Sequence, residues 1–163
     1  MKVTKTWMVR LLPALLVIAL DQTTKAAVID ALRPYETVSL IPGFFNLVHV
    51  RNPGIAFGIL SQFGKVWSAF FLSAVTVAVI IALLVWFGRF GSEERCKTVG
   101  LSLVIGGAIG NLIDRIRLGE VVDFLDFYMR SFHWPAFNVA DSAVTAGTIC
   151  LALSILFERP AKN

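Results

Sequence analysis

Two aspartates set beside apolar runs are the residues in this 163-residue chain best placed to do chemistry. Asp123 lies in Val121-Val122-Asp123-Phe124 and Asp141 in Phe137-Asn138-Val139-Ala140-Asp141-Ser142. A carboxylate at the centre of a membrane helix costs roughly 2.5–3.5 kcal/mol by insertion scales, so one that is kept has a partner or a task. When two carboxylates approach closely, repulsion raises one pKa and the pair shares a proton. One can then activate a water as a base while the other acts as an acid toward a scissile carbonyl. That is peptide hydrolysis without a cofactor. Asp126 rivals Asp123 for the loop member of the pair, and spacing does not separate them.

Other chemistries lack their residues. Zinc hydrolysis needs a His-rich set such as H-E-x-x-H, whereas His49 and His133 stand far apart in the sequence. Serine catalysis would use G-x-S-x-G with a histidine, which does not occur, and the i, i+4 spacing of Ser61 and Lys65 arises constantly by chance. Cys96 is expected in a cytoplasmic turn and Cys150 in the middle of the last span, hence at different depths, as packing residues with neither a disulfide nor a metal. No metal and no cofactor are expected.

The elements that carry these residues read as membrane spans. The chain is 56% hydrophobic with mean hydropathy +0.74, which places residues 1–163 as one integral membrane domain. The net charge of +4 has no basic stripe behind it, so nucleic acid is not an expected partner. Lys and Arg fall instead at the ends of apolar segments, as topology signals do. Spans are predicted at about 8–28, 66–87, 98–113 and 139–157. The second is clearest, with Trp67 and Trp86 marking the two interfaces. The third is short and Gly-rich, and crosses only if Asn111 and Asp114 are drawn inward against neighbouring helices. The first also has the charged start and short apolar run of a secretory signal peptide, but the only small-residue site, Thr24-Lys25-Ala26, is a poor match, so a retained helix is expected.

Basic residues are densest before the first span, between the second and third, and after the fourth. Both termini are therefore expected to be cytoplasmic, with the longer loops, about 29–65 and 114–138, outside. Within the first outer loop, 36–41 and 44–50 read as strands around Pro42-Gly43, and Asn52-Pro53-Gly54 as a second turn. Residues 55–60 read as an interfacial helix or loop, and 121–128 as a strand. The fold class is an all-α membrane protein with a small β element: four transmembrane helices and an extracytoplasmic sheet and loop module.

Several polar residues interrupt the spans. Gly107, Asn111 and Asp114 are spaced to share one face of the third helix, with Gly106 and Gly110 as a G-x-x-x-G pair beside them. Those glycines read first as a packing seam, and with Gly54 as room where substrate backbone comes close. Asp114-Arg115 could clamp a peptide carbonyl or pair structurally. In the fourth helix Asn138, Asp141, Thr145 and Thr148 form a stripe that must face protein or water. Asp21 and Lys25 are i, i+4 with the acid first and read as a structural ion pair.

Five blocks, in order along nearly the whole chain, give a specific resemblance. They are Asp21-Gln22-Thr23-Thr24-Lys25, Arg51-Asn52-Pro53-Gly54-Ile55-Ala56-Phe57, Gly106 to Arg115 (GGAIGNLIDR), Val121-Val122-Asp123-Phe124 and Phe137-Asn138-Val139-Ala140-Asp141-Ser142. The chain resembles the lipoprotein signal peptidases, or signal peptidase II, departing at Ile55 where the family usually has alanine. The resemblance implies an aspartic endopeptidase of the bacterial inner membrane whose site lies near the outer, periplasmic face. Its substrates would be diacylglyceryl-modified prolipoproteins, cut just before the lipidated cysteine. Asp123 and Asp141 match the catalytic pair, which sets Asp126 aside. Asn52, Gly54, Asn111, Arg115, Asn138 and Ala140 match positions lining the site, and Asp21, Lys25 and Asp114 positions supporting it. Membrane lipids are the remaining expected partner, and a monomer is expected. The competing class is a small proton-coupled transporter or channel subunit, whose carboxylates belong near the bilayer midplane rather than at span edges. A non-catalytic lipid-binding scaffold is a third reading and would survive loss of either carboxylate.

Overall fold

The computed structural model describes residues 9–54, 65–90 and 94–157. Residues 55–60 and Ser61, for which the sequence suggested an interfacial segment and a Ser/Lys dyad, lie outside the described residues. Among the described residues, four helices are long and apolar enough to cross a membrane: α1 (Leu12–Ala31), α2 (Lys65–Phe87), α3 (Arg95–Leu118) and α4 (Val139–Leu156). Four strands, β1 (Thr37–Ile41), β2 (Phe45–Asn52), β3 (Val121–Met129) and β4 (Phe132–His133), form one antiparallel sheet in sequence order.

The third span corrects the sequence reading. It was expected at about 98–113 with a loop from 114, yet α3 is 24 residues long and carries Asp114 and Arg115 inside the helix. Polar residues late in a span look like its end when only hydropathy is counted. Here Asp114 is buried against protein, so the helix continues to Gly119. That glycine takes φ +76, and its N–H bonds the Arg115 carbonyl, the left-handed stop that favours glycine. Helix α1 likewise runs further than the predicted residue 28, to Ala31.

Helix α3 is the centre of the bundle, with α1, α2 and α4 packed around it. Its glycines admit two of them. A side chain at Gly106 would strike the backbone of Ala14 in α1, and one at Gly107 would strike the Ala140 carbonyl and Val144 in α4. Further along, Gly100 and Gly147 face each other across the α3–α4 contact. Small residues let helix backbones approach where lipid gives no hydrophobic drive to associate. The packing reading of Gly106, Gly107 and Gly110 therefore holds, and the reading that they leave room for substrate does not: helices fill that space.

One further expectation is overturned. Cys96 and Cys150 are free, but they are not at different depths, because the Cys150 thiol lies 3.4 Å from the Cys96 carbonyl. Cys96 opens α3 while Cys150 sits six residues before the end of the antiparallel α4, so the same level is reached from both sides. The polar stripe of α4 is buried only at its start. Asn138 is fully buried, whereas Thr145 and Thr148 are exposed on the helix surface. The Thr148 hydroxyl donates to the Val144 carbonyl at 2.7 Å, so its polarity is met within its own helix rather than by a neighbour.

Gly107→Val should separate α3 from α4 and lower stability by about 1–3 kcal/mol or more, as overpacking does. A thermal midpoint in detergent equal to that of the parent protein would contradict the assigned contact.

Candidate active site

The sheet stands at the end of the bundle where α1 and α3 finish and α4 begins, held there by Val28, Leu32 and Phe124. Strand β3 follows α3 after one turn, so its first residues lie over the helix ends. Asp123 is thereby delivered to the start of α4. Its carboxylate is 2% exposed, accepting from Asn138 Nδ2 at 2.7 Å and Asn52 Nδ2 at 2.9 Å. Asn52 comes from the last position of β2, and its Oδ1 accepts the Gly54 N–H at 2.8 Å, closing the Asn52-Pro53-Gly54 turn.

Asp141 arrives on a different element. Asn138 is the N-cap of α4, and the two residues form a capping box: Asn138 Oδ1 accepts from the Asp141 N–H at 2.9 Å, and Asp141 Oδ2 accepts from the Asn138 N–H at 3.3 Å. This ties up otherwise orphaned helix N–H groups. Asn111 Nδ2, from α3, donates to Asp141 Oδ1 at 2.8 Å. The two carboxylates are thus joined through Asn138, which bonds both of them. Burial pushes the Asp123 carboxyl up to about 6. The negative charge of Asp141 adds to that rise, while the donors Asn52 and Asn138 and the charge of Lys25 oppose it.

Asp126 belongs elsewhere. Three residues along a strand reverse the face, and Asp126 accepts from Asn46 Nδ2 at 2.9 Å and pairs with His133 Nδ1 at 2.9 Å. The other histidine, His49, is buried with Nδ1 2.9 Å from the Leu32 carbonyl. Among the described residues, no three His, Cys, Asp or Glu side chains converge as metal ligands would.

Beneath the pair lies a second polar layer. Lys25 Nζ sits 2.9 Å from both Asp21 Oδ2 and Asp114 Oδ2 and 3.0 Å from Asn111 Oδ1. Asp21 Oδ1 accepts the Ala140 N–H at 3.0 Å, and Asp114 Oδ2 the Val122 N–H at 3.1 Å. Ala140 therefore supports the site through its backbone. Asp114 turns to this layer rather than pairing with Arg115. The sequence reading passed over Gln22, whose Nε2 bridges Asp21, Asp114 and the Gly110 carbonyl at 3.0–3.2 Å. Its place directly after Asp21, at the end of the apolar run Leu11 to Leu20, was the available signal. The Asn138-x-x-Asp141 capping box was also legible, as an Asn three residues ahead of an acid before an apolar run.

Arg115 is one turn beyond Asn111, with Nη2 about 3.6 Å from where a side chain on Gly54 would begin. Its Nε is buried and has no partner among the described residues. It also borders a groove of about 930 Å³ between α2 and the end of α3, walled by Ala69, Phe70, Ser73, Leu112 and Ile116.

The chain matches known proteins over most of its length. The family described as Signal peptidase (SPase) II matches residues 13–157. Lipoprotein signal peptidases of Desulforapulum autotrophicum and Syntrophotalea carbinolica are 45% and 48% identical to it. The first alignment covers 88% of this chain and 89% of the relative, and the second 88% of both. Two solved structures, each described as a bacterial membrane enzyme, superpose with TM-score 0.81 at 36% and 35% identity. They cover 93% and 95% of this chain and 94% and 92% of theirs.

Proposed function

This chain belongs to the signal peptidase II family, and on that premise we propose that Asp123 and Asp141 are its catalytic pair. The family's activity, aspartic proteolysis that removes signal peptides from prolipoproteins, is the chain's function. Nothing in the comparisons favours a transporter or channel subunit. The single observation that carries the assignment of the pair is Asn138, which bonds Asp123 on the sheet and Asp141 on α4 within one buried cluster.

The mechanism follows from that cluster. With Asp123 raised to about 6 by burial, the pair keeps one proton up to about pH 6, so one carboxylate can take a proton from water while the other gives one to the peptide carbonyl. Water attacks the carbonyl carbon, the tetrahedral intermediate collapses with loss of the amine, and the second proton transfer restores the pair. Arg115, with an N–H unclaimed among the described residues, is placed to hold a substrate carbonyl. Asn52 and Gly54 form the turn above it, and Asn111 steadies Asp141.

The substrate's lipid fits the same geometry. Cleavage just before a diacylglyceryl-modified cysteine would keep the acyl chains in the bilayer while the adjacent peptide bond reaches the carboxylates. The apolar groove bordered by Arg115 supports this, since it lies between spanning helices close to the polar cluster. We place the chain in the bacterial inner membrane, with both termini cytoplasmic and the sheet at the periplasmic face, on the strength of its basic-residue distribution and its bacterial relatives.

Asp123→Asn and Asp141→Asn should each abolish release of the signal peptide from a lipidated precursor, seen as a missing mass shift, while the protein stays folded and inserted. The double variant should be no worse than either single, since a pair acts as a unit. Asp126→Asn should be far milder, and near-parental cleavage by Asp141→Asn would sink the aspartic assignment.

The pH dependence has a definite sign. The Asp123 carboxyl must keep its proton in one state of the pair, so kcat/KM should decline as pH rises through about 6 and beyond. Asn52→Ala removes a donor that favours the charged form, and the declining limb should then move up by about half a unit to one unit. A limb that stays put or moves down would contradict the Asn52–Asp123 bond. For orientation, a reporter fused after Asn163 should behave as cytoplasmic and one inserted at Gly119 as external. The reverse for both would overturn the topology.

A further inference from the structure

We propose that Lys25 is a positioning residue for the hydrolytic pair: its buried ammonium fixes the orientation of the Asn111 amide and so aims the amide N–H at Asp141. The proposal rests on the reading of Asp123 and Asp141 as the catalytic pair. An ammonium has donors and no acceptor. The Asn111 atom 3.0 Å from Lys25 Nζ is therefore the oxygen, and the nitrogen must take the other branch, 2.8 Å from Asp141 Oδ1. Lys25 is itself immobile. It is 2% exposed, and its three N–H donors match three acceptors, Asp21, Asp114 and Asn111.

The Asn138 amide is oriented by different means. Its oxygen accepts the backbone N–H of Asp141, also a group that can only donate, which turns its nitrogen toward Asp123. That nitrogen has two hydrogens for three acceptors: Asp123 Oδ1 at 2.7 Å, and the Val122 carbonyl and Asn111 Oδ1, each at 3.2 Å. Asn138 is thus a weak and shared donor to Asn111, and the ammonium decides which way Asn111 faces. Each carboxylate then meets an amide whose polarity is set by a group outside the reacting pair.

Lys25→Met alone would strand two buried carboxylates, so the test adds a neutral variant of similar shape, Asp21→Asn with Lys25→Met and Asp114→Asn, which removes the three charges together. The full chain in detergent is assayed on a lipidated precursor, with the folded fraction measured by thermal unfolding. In the neutral variant, kcat per folded molecule should fall about tenfold or more, the scale of a lost hydrogen bond to a charged group, with KM little changed.

Parental kcat per folded molecule in the neutral variant would overturn the proposal, as would a loss of activity that only follows the unfolded fraction. Asp123→Asn and Asp141→Asn, run alongside, separate the two readings. If these still cleave, the catalytic assignment fails and the positioning role falls with it. If they are inactive while the neutral variant matches the parent, only the positioning role fails.

Discussion

A single ammonium in a low-dielectric interior constrains the rest of this molecule. Taking Lys25 and its two carboxylate partners out of water costs several kcal/mol per ion, repaid only where geometry and the remaining hydrogen bonds are complete. Here they are close to complete, since Asp21 and Asp114 also accept from Gln22 and from the backbone of Ala140 and Val122. Those last two N–H groups lie in the first turn of α4 and the start of β3. One ionic cluster therefore ties α1 to α3 and fixes where the two elements bearing Asp141 and Asp123 begin.

That cluster can close only if the helices come near enough. Gly110 is where this is most visible, because a side chain there would fall 2.6 Å from Asp21 Oδ2. Gly106 and Gly107 bring α1 and α4 against α3 on either side of it. Van der Waals contact between backbones and charge pairing are thus a single arrangement, and neither survives alone. The position of Asn111 follows from both, one helical turn beyond Gly107 and facing Asp141.

Much of this was legible in the sequence, for identifiable reasons. The carboxylates and their asparagines sit in dense local blocks, and an acid beside an apolar run draws attention wherever it occurs. Strands β1, β2 and β3 were marked by β-prone runs and by Pro42-Gly43. The end of α3 was missed because hydropathy cannot tell an aspartate facing water from one facing Lys25, which lies 89 positions earlier in the chain. The depth of Cys150 was misjudged because α4 ends only six residues beyond it. The α4 stripe was expected to face protein or water; Asn138 faces protein while Thr145 and Thr148 lie on the helix surface, since periodicity gives the face of a residue, not what lies opposite. Spacing alone did not separate Asp126 from Asp123; the block match did, and strand register with the Asn46 and His133 partners gives the physical reason.

The two carboxylates ride on different elements, a strand in a small sheet and the first turn of a membrane helix. Asn138 bonds to both and is fully buried, so mechanically it is a pin joint between the sheet and the bundle. A load that lifts the sheet, such as a peptide wedged beneath it, reaches this joint before it reaches either rigid body. The separation of the two carboxylates then answers to one amide side chain, within the limits that the ionic cluster sets on the elements bearing them.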